Sequence, residues 1–246
     1  MELSIGGERA ARPRRARLIC LTGIDGSGKT TLASSLAEHL RERGHGNVRY
    51  VHGILIRQIL LKAVKPAAQR LFMRGTDERA NYVHYQEVKV SASQRHRVLS
   101  ALYGAVWFLD YVQEAFRRVT LPVLGGQLVV ADRYVFDLLL NISLATARPV
   151  TSFSWLLKLF FLFNPRPDIV FLVDTPEEIA FARKADVHAI EYLRERRSEY
   201  LAMAERYGFQ VLDGRAARDE LLNEVLARSF PAARQAAGPP FERASE

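Results

Sequence analysis

Cysteine is nearly missing from this chain. Cys20 stands alone among 246 residues, so no disulfide can close within the chain, and a reducing compartment suits it. Long apolar runs are also lacking. None approaches the roughly 20 residues that a membrane helix needs, and the basic N-terminal stretch is not followed by the apolar core of a secretion signal. A cytoplasmic location is the expectation. The guanine-reading sequence Asn-Lys-x-Asp of GTPases does not occur, which argues against one large group of nucleotide switches. Positive charge is plentiful, at a formal net +8, but Lys and Arg are dispersed instead of forming one stripe, and nucleic acid is not an expected partner. The densest basic cluster, Arg9, Arg12, Arg14, Arg15 and Arg17, makes residues 1–15 a mobile basic arm in this reading. The Ala, Pro and polar residues of 231–246 read as a disordered tail.

What remains, residues 16–230, has the composition of one α/β domain. Hydrophobic residues make up 48% of the chain and charged ones 25%, enough apolar surface for a substantial core. Five short apolar runs read as strands: Leu18 to Leu21, Val48 to Gly53, Gln127 to Asp132, Ile169 to Val173 and Phe209 to Leu212. Between them the apolar spacing is helical. Helices are expected over Thr31 to Arg43, Ile54 to Leu61, Ala67 to Phe72, Arg97 to Arg118, Phe136 to Ala145, Phe153 to Phe163, Glu177 to Arg183, Ile190 to Tyr207 and Asp219 to Arg228. Residues 74–94 read as a loop or irregular lid. Apolar strands alternating with helices indicate a parallel sheet covered on both faces, a three-layer αβα sandwich.

The first strand leads directly into Gly23-Ile24-Asp25-Gly26-Ser27-Gly28-Lys29-Thr30, with Thr31 opening the helical segment. Glycines that tolerate positive φ free successive backbone N–H groups to turn inward at the positive end of a helix dipole, and such a nest holds an anion. Lys29 would reach the outer phosphates of a nucleoside triphosphate, and the Thr30 hydroxyl would take one Mg²⁺ position. From average residue usage the bare pattern arises by chance in roughly one chain of this length in a hundred, before a strand and a helix are required around it.

Other residues have two readings each. Asp132 ends an apolar strand, where a carboxylate suits the Mg²⁺ shell or the attacking oxygen. Asp174 also ends a strand, but the Thr-Pro-Glu-Glu after it looks like a helix start, and the structural reading leads there. Arg133 could grip an acceptor phosphate with both arms of its guanidinium, or be held in a buried ion pair. Arg183 and Lys184 follow the helix after the fourth strand, where a lid would close over the triphosphate. Arg194, Arg196 and Arg197 read as a solvated helix face. Trp107 could line an acceptor pocket or the core. The apolar stretch from Trp155 to Phe163, interrupted only by Lys158, reads as a core or dimer helix, with contact to a membrane surface or a lipid-linked acceptor as the sharper alternative.

With these residues assembled, the chain resembles the thymidylate kinase family of P-loop nucleoside monophosphate kinases over most of residues 16–228. The most specific parts are Gly23 through Leu32, then Asp132-Arg133-Tyr134, then Pro167-Asp168-Ile169-Val170-Phe171-Leu172-Val173-Asp174-Thr175-Pro176-Glu177-Glu178. The resemblance implies a P-loop NTPase fold with strand order 2-3-1-4-5, ATP, Mg²⁺ and a homodimer. It implies that Asp25, inside the phosphate loop, approaches the sugar of the acceptor, and it brings His52, Arg57, Trp107 and Tyr134 to the acceptor side. Three segments depart from the family. His52-Gly53-Ile54-Leu55-Ile56-Arg57 stands where an Arg-Glu-Pro-Gly-Gly-like segment is common, Trp107 stands near a family arginine, and Val135-Phe136-Asp137 replaces a continuation through serine. The expected function is an ATP-dependent phosphotransferase acting on a nucleoside monophosphate, dTMP, with no membrane partner. The alternatives are a kinase of another acceptor (a sugar, a phosphosugar or a lipid-linked alcohol) and a non-catalytic ATP-dependent switch.

Overall fold

Period-two alternation along the strands divides their side chains between two cores. In the computed structural model, which describes residues 17–53, 97–146, 148–184 and 189–230, the strands are β1 (Leu18–Thr22), β2 (Val48–His52), β3 (Leu128–Asp132), β4 (Ile169–Asp174) and β5 (Gln210–Asp213). Leu18, Cys20, Val129, Ala131, Val170 and Leu172 face one core. Their neighbours Ile19, Leu21, Leu128, Val130, Phe171 and Val173 face the other. A strand that is apolar at every position must be covered on both sides, because each buried Leu, Val or Phe contributes about 1.5–3 kcal/mol only when water is excluded.

Helices supply the cover. α1 (Lys29–Glu42) and α8 (Arg218–Ser229) lie on the second face, with Leu32, Leu36, Leu40, Leu221 and Val225 turned inward. The first face is covered by α2 (Arg97–Ala115), α4 (Val135–Thr146), α5 (Ser154–Phe163) and α7 (Ile190–Tyr207). Two short helices, α3 (Leu121–Leu124) and α6 (Glu177–Arg183), a 3-10 turn at Val150–Phe153 and a π-helical turn at Phe116–Thr120 complete the described elements. The sheet is parallel throughout, in the order β2-β3-β1-β4-β5. This is the P-loop NTPase arrangement. The order reverses at β1, flanked by β3 and β4, and in such sheets the ligand crevice opens beyond the strand ends at that point.

Two expectations change in detail. The long helix does not end near Arg118: α2 passes at Phe116–Thr120 into a π-helical turn and then into α3. Pro122 brings no N–H to a helix running through it, and a widened turn just before it accommodates that loss. α1 starts at Lys29, ahead of the expected Thr31, because Gly28 at φ 89° delivers the chain straight into the helix. The basic arm, the tail, the helices expected over Ile54 to Leu61 and Ala67 to Phe72, the lid of 74–94 and Arg57 lie outside the described residues.

Candidate active site

β1 ends at Thr22, and the loop of residues 23–28 wraps the N-terminus of α1. No side chain caps that terminus, and no acidic residue sits in its first turn. The positive end of a 14-residue helix is therefore presented to a ligand, with the Thr30 and Thr31 side chains exposed beside it. The loop is held from behind. A Cβ on Gly26, where φ is 83°, would stand 2.2 Å from the Ala180 carbonyl oxygen of α6, so only glycine lets the two segments approach this closely. Gly28 has nothing within 4 Å on its Cβ side, which is the loop's open face.

Charge is concentrated around one carboxylate. Asp25 accepts a hydrogen bond from Arg133 Nη2, lies 3.7 Å from Lys29 Nζ and 3.6 Å from Lys184 Nζ, and accepts from the Tyr192 hydroxyl at 3.4 Å. Burial raises the Asp25 pKa, but Arg133, Lys29 and Lys184 together outweigh it and bring it down to about 2. Lys29 is buried, and its ammonium donates to the Ile24 carbonyl at 2.9 Å. Burial and then the neighbouring Arg133 charge lower its pKa to about 8, against the pull of Asp25. A cation poised to lose its proton near neutrality gains most from a second anion.

At the end of β3, the carboxylate of Asp132 is fully buried. Its Oδ2 meets His52 Nδ1 at 2.7 Å and accepts from the Tyr50 hydroxyl at 3.3 Å, as the pairing of His52 with Asp132 in the sheet register requires. Its Oδ1 is buried with no partner among the described residues, as is Ser27 Oγ in the phosphate loop. An orphaned carboxylate oxygen at a strand end fits a hard cation. Among the described residues no cluster of three or more His, Cys, Asp or Glu could hold a metal by itself. Mg²⁺ in phosphoryl-transfer sites takes one or two protein oxygens beside the phosphates, and Thr30 and Asp132 are donors of that kind.

Arg133 follows at φ 75°, the left-handed region that a non-glycine residue enters at a cost of about 1–3 kcal/mol. Its surroundings hold it there: its N–H donates to the Leu21 carbonyl at 2.9 Å, and its Nη1 lies 3.4 Å from Asp137 Oδ1. Burial works against the Arg133 charge, but Asp137, Tyr200 and Asp25 raise its pKa above the ordinary arginine value. Asp137 is itself buried and accepts from the Tyr200 hydroxyl at 2.6 Å, the Thr22 hydroxyl at 3.3 Å and the Tyr134 N–H at 3.2 Å. The sequence showed only that Val135-Phe136-Asp137 departs from the continuation seen in the proteins it resembles, and nothing in it marked Asp137 for this role.

The structure brings Gly23 through Thr31, Lys184, Asp132, Arg133 and His52 to one end of the sheet, and it separates others from them. Tyr134 is not on the acceptor side: it is fully buried, stands edge-on to Phe160 at 5.2 Å, and donates its hydroxyl to the Pro165 carbonyl. The turn at Arg133 sends the next side chain into the core. Arg183 is exposed at the end of α6 and donates to the Gly214 carbonyl at 3.3 Å, while Lys184 reaches the loop. Trp107 packs half-buried against the first core. The arginines of α7 are not simply a solvated face. Arg197 grips Asp174 with Nε at 2.7 Å and Nη2 at 2.9 Å and reaches Glu177 at 3.0 Å, and Arg194 also reaches Glu177 at 3.0 Å. Asp174 is held in that pairing just ahead of α6, which begins at Glu177 as the Thr-Pro-Glu-Glu signal predicts. Arg196 lies 4.4 Å over the Tyr192 ring, and Tyr192 in turn touches Asp25.

Similarity to known proteins runs the length of this arrangement. A family profile described as "Nephrocystin 3, N-terminal" matches residues 8–54, the segment that carries the phosphate loop. The "Probable thymidylate kinase 1" of Saccharolobus solfataricus is 28% identical over 220 residues, covering 85% of this chain and 95% of that protein. The "Probable thymidylate kinase" of Thermococcus onnurineus is 26% identical over 85% of this chain and 95% of its own. That of Pyrococcus abyssi is 28% identical over 87% and 95% respectively.

Proposed function

We infer that this chain, thymidylate-kinase-like in its sequence similarity and its sheet order, is an ATP-dependent kinase that passes a phosphoryl group to a nucleoside monophosphate, with dTMP as the acceptor. The observation that carries the reading is the phosphate loop at an uncapped helix N-terminus, facing a buried Asp132 whose Oδ1 has no partner among the described residues. Phosphoryl transfer asks a protein mainly for positioning and charge stabilisation, and the site is built from such parts.

ATP supplies the transferred group, and Mg²⁺ bound through Thr30 and Asp132 supplies neutralising charge. In this reading the amides of residues 23–30 and the Lys29 ammonium hold the phosphates, and Lys184 adds a second cation. Arg133, fixed by Asp137, aims its guanidinium at the acceptor side, and Asp25 meets the acceptor's sugar. Arg183 contributes from the lid as the residue before Lys184. A homodimer in a cytoplasmic setting belongs to the same reading. Among the described residues no helix is long and apolar enough to cross a membrane.

A second reading keeps the donor site and changes the acceptor to a sugar, a phosphosugar or a lipid-linked alcohol. The departure at Val135-Phe136-Asp137 favours it, with Asp137 turned inward to Tyr200 and Thr22. Transfer of label from ATP to a panel of nucleoside monophosphates, sugars and prenyl alcohols separates the two. Turnover of dTMP at low micromolar concentration establishes the first. No nucleotide turnover with a labelled sugar or prenol establishes the second, and no labelled acceptor at all leaves a switch.

A further inference from the structure

β2 runs parallel to β3 with His52 paired to Asp132 and Tyr50 paired to Val130. Side chains of paired residues share a face, and Val130 and Tyr50 pack on the second core, the one that α1 covers. Register alone therefore stands Tyr50 and His52 beside the Asp132 carboxylate, on the side of the sheet from which α1 starts. The chain is pinned just past them. The Gly53 N–H donates to the Asp132 carbonyl at 2.7 Å, and Arg118 Nη1 donates to the Gly53 carbonyl at 3.1 Å.

Both donors use the same carboxylate oxygen. A carboxylate only accepts, so in the 2.7 Å contact between His52 Nδ1 and Asp132 Oδ2 the proton is on the imidazole. The Tyr50 hydroxyl is 3.3 Å from both atoms, and with Nδ1 protonated it has Oδ2, not Nδ1, to donate to. Burial, with the Asp132 charge and hydrogen bond behind it, pushes Tyr50 up to about 12, so the hydroxyl keeps the proton that it donates. Oδ1 has no partner among the described residues, although Asp132 is fully buried. An acid that served the fold alone would gain nothing from one oxygen clamped twice and the other left bare. The Asp132 charge also acts on the Lys29 ammonium, so a carboxylate released from the clamp has a competing cation to turn to.

We propose that His52 and Tyr50 are positioning residues for the kinase reaction, holding Asp132 by Oδ2 so that Oδ1 stays aimed at Mg²⁺. The proposal rests on the reading of Asp132 and Thr30 as the metal's protein donors. Partners behind a metal ligand fix its orientation, and their loss costs about ten- to a hundredfold in metal affinity. His52 thereby works on the donor side of the site, through Asp132, and not by touching the acceptor.

The test follows Mn²⁺ binding, by electron paramagnetic resonance, to the full chain loaded with a non-hydrolysable ATP analogue and without any acceptor. Affinity for the analogue in EDTA and thermal melting are measured beside it. His52→Ala weakens Mn²⁺ binding by about tenfold, and Tyr50→Phe weakens it less, in keeping with the longer bond. Both leave affinity for the metal-free analogue unchanged, and His52 is exposed, so its replacement removes no core packing. His52→Asn, whose amide nitrogen takes the place of Nδ1, restores most of the binding. His52→Gln, whose amide sits one carbon further out, does not. Asp132→Asn is the reference. If it leaves Mn²⁺ binding intact, the reading of Asp132 as a metal donor fails and the proposal with it. If it weakens binding while His52→Ala does not, the metal donor stands and the positioning role is overturned. Equal losses of Mn²⁺ and of metal-free analogue, with a lowered melting temperature, assign the pair to the fold and overturn it as well.

Discussion

Arg133 donates through Nη2 to Asp25 Oδ1, and this one contact ties the end of β3 to the phosphate loop. The arginine is in the left-handed region, braced from behind by Asp137. The carboxylate draws Lys29 and Lys184 to the same point. Without nucleotide, Asp25 serves as the counter-anion of cations that the phosphates of ATP would otherwise engage. Its folded pKa of about 2 lies below the ordinary 3.8. Its contribution to stability is therefore present above about 3.8 and is lost as pH falls through about 2.

Lys29 sets the pH range of nucleotide binding. With its pKa at about 8 in the free protein, ATP affinity falls above about pH 8 by up to about tenfold per unit, and binding takes up protons there. Calorimetry in buffers of different ionisation enthalpy reads both. The effect of Lys29 on stability runs in the same direction with pH as that of Asp25, but as a penalty relieved and not a gain completed. Between about 8 and 10.5 the unfolded chain holds a proton that folded Lys29 has lost, so this residue's contribution rises with pH through that window. Lys29→Ala lowers turnover by roughly a hundred- to a thousandfold; activity equal to the unmodified chain would remove Lys29 from the mechanism.

Asp137 acts through Arg133. Asp137→Asn and Tyr200→Phe lower kcat/KM for the acceptor by about tenfold or more while leaving the KM for ATP nearly unchanged. Asp137→Ala, which leaves the Tyr200 and Thr22 hydroxyls without their acceptor, also costs about 1–3 kcal/mol of stability. Steady-state kinetics with each substrate varied, beside thermal melting, reads the difference. Equal losses toward both substrates would mean that Asp137 supports only the fold.

Two of the loop glycines, Gly26 and Gly28, separate stability from binding. Gly26→Ala drives a Cβ to 2.2 Å from the Ala180 carbonyl oxygen, and the melting temperature falls by several degrees, at about 2–4 °C per kcal/mol for a chain of this size. Gly28→Ala meets no atom within 4 Å and costs only the left-handed strain, about 1–2 kcal/mol. Its methyl faces the open side of the loop, so ATP affinity drops more than stability. Melting curves with and without ATP distinguish the two variants.

Much of the fold was legible because strands buried on both faces leave unbroken apolar runs, as in Leu18 to Leu21 and Ile169 to Val173. The phosphate loop was legible because its backbone needs glycines at fixed spacing before a lysine and a hydroxyl. Tyr134 was misread because its neighbour Arg133 adopts a positive φ, which turns the next side chain into the core; no pattern of residue types encodes that turn. Arg197 was misread because a helical face looks solvated until another element is laid against it, here the end of β4 carrying Asp174.

The sequence by itself determined the nest, the order of strands and helices, and the carboxylate at the end of β3, since all of these rest on local periodicity and short-range backbone geometry. Only the tertiary structure decided which charges share a site. Asp25 and Arg133 meet because the adjacent parallel strands β1 and β3 end side by side, and Lys184 and Tyr192 reach the same point from the end of α6 and from α7. It also decided that one face of α5 faces solvent: an all-apolar helix reads the same from every side until packing chooses which side to bury.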